Sequence, residues 1–234
     1  NIEELFLNGD FTTDEVLNVQ WINNNKWVKK HYFRKGLMSF LNDQYIIKKV
    51  QNTRSYKEFA ILNHLYKSNF STCKPIMGWV TYNYFYYTAN LITKSLPSFT
   101  LQRVLLATNM KDEWWKKIGI EIRKMHDLNI YHGDLNITNI MIDKETGSIS
   151  ILDFDKSCFR KIKKHHIQSN LKRLKRSLIK MNFYNKLHYK KIIDGYKSIS
   201  EYLMLKGYMS VRNKKPLLPN YVYSIYKKGK IRKE

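Results

Sequence analysis

Between residues 20 and 50 apolar and polar positions alternate in short runs, as in Trp27-Val28-Lys29-Lys30-His31-Tyr32 and Tyr45-Ile46-Ile47-Lys48-Lys49-Val50. A period of two predicts strands, with Arg34-Lys35-Gly36 as a turn between them. From residue 55 to 67 the period changes, and Phe59, Leu62, Leu65 and Tyr66 fall at helical spacing. Residues 76–80 and 82–92 are dense in β-branched and aromatic side chains. They predict a hairpin broken near Thr81 and ending in an extended segment around residues 91–93.

Pro97 and Ser98 interrupt this pattern, and a short helix is expected over residues 101–106. A longer one follows over residues 108–127, where Trp114, Ile118, Ile122 and Met125 share a face and Leu128-Asn129 ends the run. Residues 130–157 read as a loop and then a hairpin: 139–143, a turn at Lys144-Glu145-Thr146-Gly147, and 148–152. Over residues 165–181, Ile167, Leu171, Leu174 and Leu178 make an apolar stripe, which leaves Lys172, Arg173, Lys175, Arg176 and Lys180 to a solvated face. Residues 214–234 mix Pro, Tyr and Lys and are expected to be loosely ordered. There is no internal repeat. The chain thus passes from a strand-rich part to a helical part near residue 95.

A length of 234 residues suits one domain, or two lobes around a cleft, and 43% hydrophobic with 14% aromatic residues indicates a folded body. The charge changes the picture more. With 42 Lys and Arg against 19 Asp and Glu, the net charge of +23 favours anionic partners: nucleic acid, an anionic membrane face or a phosphorylated glycolipid. Richness in Asn, Lys and Ile also fits an AT-rich genome as a source of part of that excess. Cys73 and Cys158 stand far apart, which argues against a disulfide framework or zinc site and fits a reducing cytoplasm. No apolar run nears the ~18 residues of a membrane span and no signal-peptide pattern opens the sequence, so a soluble or peripheral protein is expected. The first residue is Asn1 instead of Met, which leaves room for residues ahead of it.

The most informative stretch is His132-Gly133-Asp134-Leu135-Asn136-Ile137-Thr138-Asn139, followed fourteen residues after Asn139 by Asp153-Phe154-Asp155. It resembles the catalytic and metal-binding loops of protein-kinase-like phosphotransferases, where H-x-D with an Asn five residues past the Asp precedes a hairpin and then D-F-G or D-x-D. Phosphoryl transfer asks a protein to align a hydroxyl with the γ-phosphate of ATP and to offset spread charge. The resemblance implies Asp134 as the residue that orients the hydroxyl or takes its proton. It implies Asn139 and Asp153 as oxygen ligands of Mg²⁺, and His132 as an orienting residue. Taken alone, an Asp or an Asn here is as well explained by a turn or cap; the ordered set is what carries the likeness.

Four segments narrow it: the run from Trp27 through Gly36, Arg54-Ser55-Tyr56-Lys57-Glu58-Phe59, Leu152-Asp153-Phe154-Asp155-Lys156-Ser157, and Asn170-Leu171-Lys172-Arg173-Leu174-Lys175-Arg176-Ser177-Leu178. Together they resemble the Kdo kinases, which phosphorylate 3-deoxy-D-manno-octulosonic acid (Kdo) in the inner core of lipopolysaccharide. The likeness implies an α+β, two-lobed protein-kinase-like fold, a single kinase-like domain over 1–234, with a small antiparallel-sheet lobe over 1–94 and a mostly helical lobe over 95–234. It implies Lys30 as the ATP-holding strand lysine, paired with Glu58; Lys48 stays open as the alternative. The expected acceptor is a hydroxyl, the 4-OH, of a Kdo-containing lipid A precursor, and the expected place is the cytoplasmic face of the inner membrane.

Two departures accompany the likeness. No G-x-G-x-x-G exists, so the phosphate-covering loop is expected between the first strands without those glycines; and Asp155 replaces the Gly of D-F-G, leaving a second role at the metal open. The basic helix and the tail are candidates for an anionic membrane surface, where each Lys or Arg contributes on the order of 1 kcal/mol. Against this reading stand a heptose kinase of the same pathway, an aminoglycoside- or choline-type kinase, a catalytically dead kinase-like module, and a nucleic-acid-binding protein. The last has charge in its favour but no recognition motif, and no nucleic-acid partner is expected.

Overall fold

The computed structural model describes residues 19–34, 42–107, 110–198, 222–226 and 231–233. It opens with β1 (Val19–Ile22) and β2 (Trp27–His31), an antiparallel pair in which Val19 faces Lys30 and Ile22 faces Trp27. The connecting turn uses Asn23, Asn24 and Asn25 at φ of 51°, 51° and 61°, a left-handed conformation that asparagine tolerates better than most residues. Short β3 (Tyr45–Ile46) follows, then helix α1 (Arg54–Lys67) and a hairpin of β4 (Pro75–Tyr82) and β5 (Tyr86–Lys94). The alternation of residues 45–50 yields only two strand residues, because Val50–Asn52 closes into a tight 3-10 turn leading into α1. The hairpin breaks at Asn83-Tyr84-Phe85, two residues past the expected Thr81, and the Asn83 amide donates to the Tyr86 carbonyl at 2.8 Å.

The sheet of this small lobe runs β1-β2-β5-β4, with β3 also on β5, and α1 covers it with Tyr56, Phe59, Leu62 and Leu65 buried. Late in the chain β11 (Val222–Tyr226) pairs in parallel with β4, and β12 (Ile231–Lys233) pairs with β11. The chain therefore returns to the small lobe. Most of the tail expected to be loose lies outside the described residues, as do Lys35 and Gly36 of the expected turn.

Beyond Lys94 come β6 (Phe99–Thr100), α2 (Leu101–Ala107) and α3 (Asp112–Asp127). Residues 108 and 109 of the expected long helix lie outside the described residues, and the helix that is seen starts after Lys111, which stands at its N-cap position without a side-chain capping bond. Next are β7 (Ile130–Tyr131), β8 (Ile140–Ile142), β9 (Ile149–Ile151) and β10 (Cys158–Phe159), which pair as β6-β8-β9 and β7-β10. Helices α4 (Lys164–Lys180) and α5 (Lys186–Lys197) complete the lobe. Trp115, Ile118, Ile122 and Met125 of α3, with Leu174 and Leu178 of α4 and Ile192 of α5, form its core.

Helix α5 is absent from the periodicity reading. Its signal is a cap: the Asn185 side chain accepts from the Leu187 and His188 amides at 2.8 and 3.2 Å. Its packing rests on small residues, since a Cβ on Gly119 of α3 would sit 1.9 Å from the Ile192 carbonyl oxygen, and one on Gly195 would sit 2.0 Å from that of Lys116. The two helices touch backbone to backbone where a hydrophobic stripe would have held them apart.

Candidate active site

Strand β2 alternates its side chains across the sheet, so Lys30 points to the cleft side while Lys29 is buried on the other. Lys30 Nζ donates to Glu58 at 2.9 and 3.1 Å and to Asp153 Oδ1 at 2.6 Å. Burial alone would lower this ammonium, but Glu58, Asp153 and Asp155 outweigh it and hold Lys30 above the usual lysine range. Glu58 is buried, and the Tyr32 hydroxyl donates to it at 2.5 Å, so α1 cannot rotate without breaking two polar links to β2 and the loop after it. Lys48 is exposed and lies outside the cleft lining.

His132 is fully buried and holds the loop that carries Asp134. Its Nδ1 accepts the Asp134 amide at 3.1 Å, which leaves the proton on Nε2 to donate to the Leu152 carbonyl at 3.0 Å. Burial keeps the imidazole below the usual histidine range, consistent with that neutral form. Gly133 permits the next contact: a Cβ there would sit 2.0 Å from the Lys156 carbonyl oxygen. The loops of Asp134 and Asp153 can therefore touch.

Asn139 donates from Nδ2 to the Asp134 carbonyl at 2.9 Å, and its amide oxygen accepts from the Thr138 hydroxyl at 3.4 Å. Asp153 adopts φ of 60°, a left-handed backbone rare outside glycine, and its side chain is 45% exposed to the cleft. Phe154 beside it is fully buried against the His132 ring at 4.9 Å. Two oxygen donors of this kind suit a hard cation such as Mg²⁺. Among the described residues no group of three or more His, Cys, Asp or Glu could hold a metal unaided, so a cation here would need phosphate oxygens as further ligands.

Asp155 is tied elsewhere. Arg54, the first residue of α1, donates from Nε to Asp155 Oδ1 at 2.8 Å and from Nη2 to Oδ2, and also reaches the Phe33 carbonyl at 3.1 Å. This bidentate pair joins the lobes and engages both oxygens that a metal would have needed.

Lys30, Glu58, Asp134, Asn139, Asp153 and Asp155 line one cleft of about 920 Å³, with Val19, Val28, Leu91, Met141 and Leu152 making an apolar side. The turn between β1 and β2 sits at the other end of β2 from Lys30, where the Ser95 amide donates to the Lys26 carbonyl at 2.9 Å. The segments at the Lys30 end, residues 1–18 ahead of β1 and 35–41 beyond β2, lie outside the described residues, and the expected phosphate-covering loop falls there.

Three residues of the family-like segment in α4 were given no site role by the sequence. Asn170 donates to the His132 carbonyl at 2.6 Å, Ser177 accepts the Ile137 amide at 3.0 Å, and Arg173 Nη1 lies 3.9 Å from Asp134 Oδ1. The spacing i, i+3, i+7 puts them on one face, turned to the loop, while the leucines fill the core. Arg173 is therefore not part of a purely solvated face, and a polar stripe beside the apolar one was the available signal.

Residues 12–196 match the family model of the lipopolysaccharide kinase (Kdo/WaaP) family. The chain belongs to that family. It is 42% identical over 153 residues to the 3-deoxy-D-manno-octulosonic acid kinase of Vibrio cholerae serotype O1, covering 64% of each chain. It is 38% identical over 156 residues to the enzyme of that name from Actinobacillus succinogenes, covering 64% of this chain and 65% of that one. It is 34% identical over 176 residues to that of Vibrio vulnificus, covering 72% and 74%. The match to the first of these relatives thus spans just under two thirds of its length. Among solved structures, the PK-1 kinase of Cydia pomonella granulovirus aligns over 57% of this chain and 43% of its own, at 19% identity and a TM-score of 0.38.

Proposed function

We propose that this chain transfers the γ-phosphate of Mg-ATP to a hydroxyl, expected to be the 4-OH, of Kdo on a lipid A precursor. The observation that carries the reading is the Lys30–Glu58–Asp153 network in the same cleft as Asp134 and Asn139. Its setting in a lipopolysaccharide kinase family supports the acceptor.

In this reading Val19, Val28, Leu91 and Leu152 receive the purine, and Lys30, fixed by Glu58, holds the α- and β-phosphates. Asn139 and Asp153 would hold Mg²⁺, and charge neutralisation on the phosphates is what the bound ion supplies. Asp134 orients the acceptor hydroxyl and takes its proton as the new O–P bond forms, with ADP leaving. His132 stays neutral and moves no proton; it fixes the Asp134 backbone. The apolar lining excludes water, which limits ATP hydrolysis.

The small lobe, which β11 and β12 rejoin although the expected division put 95–234 in the large lobe, and the large lobe formed by residues 95–198 close on the nucleotide. The net charge of +23 supports work at the anionic cytoplasmic face of the inner membrane, where the lipid-anchored acceptor lies. No helix among the described residues is long and apolar enough to cross a membrane.

The test is Asp134→Ala and Asp153→Ala. Each should cut phosphate transfer to Kdo-bearing lipid by about 10²-fold or more while far-UV circular dichroism stays unchanged. Turnover within a few-fold of the parent in either variant overturns the assignment.

A further inference from the structure

Two cations crowd Asp134. Lys156 Nζ lies 3.0 Å from Oδ2, and Arg173 Nη1 lies 3.9 Å from Oδ1. One carboxylate between two cations leaves a local positive charge of one. Neither side chain is locked into the fold by this contact, as Lys156 is 62% exposed and Arg173 39%.

Arg173 is the more telling. Its neighbours on the same face of α4, Asn170 and Ser177, engage the catalytic loop directly, whereas Arg173 Nε is buried without a hydrogen-bond partner. A buried donor left unsatisfied costs about 1–3 kcal/mol. Arginine also presents Nε and one Nη along a single edge, a fork that matches two oxygens of a planar oxyanion. Arg173 therefore keeps beside Asp134 a donor that the fold leaves unfilled, and its 39% exposed side chain has to turn to present Nε to a ligand in the cleft.

Position decides whose anion it is. The ATP side of the cleft is marked by Lys30, Glu58 and Asp153, and Asp134 faces the acceptor. Lys156 is held beside Asp134 because its backbone packs on Gly133, where no side chain fits. An anion bound by both cations therefore lies next to the reacting hydroxyl, on the acceptor.

We propose that Arg173, assisted by Lys156, is the subsite for the acceptor's anionic group, and that this group is the carboxylate of the sugar acid. The inference rests on the proposed function and adds how the acceptor is recognised. The carboxylate belongs to the same sugar as the hydroxyl, whereas a lipid phosphate is on another residue of the glycolipid. When the carboxylate docks it draws both cations from Asp134, and Asp134 is then free to meet the hydroxyl.

The experiment compares full-length wild type, Arg173→Gln and Arg173→Lys on Kdo-bearing lipid A precursor and on its Kdo methyl ester, with thermal melts as the folding control. Calorimetric titration of free Kdo is run on the same proteins. The wild type should prefer the free acid to the ester by about tenfold or more in kcat/KM. Arg173→Gln should raise KM for the acid by a similar factor, leave KM for ATP within about twofold, and erase the preference for acid over ester. Arg173→Lys should retain part of it. Equal use of acid and ester by the wild type, a loss in Arg173→Gln that falls on both acceptors alike, or a rise confined to KM for ATP overturns the subsite. Equal use of acid and ester by the wild type, with an Arg173-dependent loss of kcat/KM on removing the lipid phosphate, assigns the anion to phosphate and overturns the carboxylate. Arg173-dependent binding of free Kdo without transfer to any Kdo lipid would sink the proposed reaction and leave the subsite standing; no binding of Kdo and no transfer would sink both.

Discussion

The Arg54 guanidinium grips Asp155 with two parallel hydrogen bonds and so ties the first turn of α1 to the loop that follows Asp153. Helix α1 also carries Glu58, the partner of Lys30. The pair therefore helps set the position of Glu58 and Lys30, and in the proposed mechanism Asp155 acts as a tether instead of a metal ligand.

Asp155→Asn keeps the shape but removes the charge, so it should cost about 1–3 kcal/mol of stability and raise KM for ATP. The Mg²⁺ concentration for half-maximal activity should not move. Urea unfolding and a Mg²⁺ titration check this, and a large shift in the Mg²⁺ midpoint with unchanged stability would make Asp155 a ligand.

Lys30→Ala should raise KM for ATP by about tenfold or more, while Lys48→Ala stays near the parent because Lys48 is exposed outside the cleft. Initial rates against ATP concentration decide it. The reverse order would move the nucleotide lysine to Lys48.

His126 is buried between Tyr196 Oη and Asn170 Oδ1, both at 2.9 Å. Burial, above all, lowers it to about 4, with the Asn170 bond opposing and Arg123 adding to the fall. In the unfolded chain this histidine titrates near ~6.5. Below that pH the unfolded chain takes up a proton that the native site refuses until about pH 4. Its contribution is thus complete above ~6.5 and fades as the pH falls, by up to about 1.4 kcal/mol per unit. His126→Gln should show a shallower loss of stability between pH 7.5 and 5.0 in urea melts. Equal slopes in the two proteins would contradict the buried neutral state.

Gly119→Ala would force a methyl group against the Ile192 carbonyl, and overpacking of this kind costs about 1–3 kcal/mol. Thermal melts should show a clearly lower midpoint with little change in KM for ATP, since the contact is remote from the cleft. An unaltered midpoint would mean that α3 and α5 separate easily.

Much of this was legible in the chain. The strands around Lys30, the helix bearing Glu58 and the hairpin between Asn139 and Asp153 follow from periods of two and 3.6, because each buries one face against a single neighbour. What escaped is what periodicity does not encode. Helix α5 packs through Gly195 against the backbone of α3, and its apolar set, Tyr189, Ile192, Ile193 and Tyr196, covers only two turns between lysines. Asn170, Arg173 and Ser177 look like surface residues until the His132 loop is laid on them. The tether role of Asp155 depends on Arg54, 101 residues away in sequence. The hairpin break moved from Thr81 to residues 83–85 because aromatic density continues across the turn.

The central claim is tested most directly by following labelled γ-phosphate from Mg-ATP in parallel onto Kdo-bearing lipid A precursor, a heptosylated core and a generic protein acceptor. Label on the Kdo lipid, absent with Asp134→Ala, is the predicted result. Label on the heptosylated core alone, or on none of the three while ATP still binds, would contradict it.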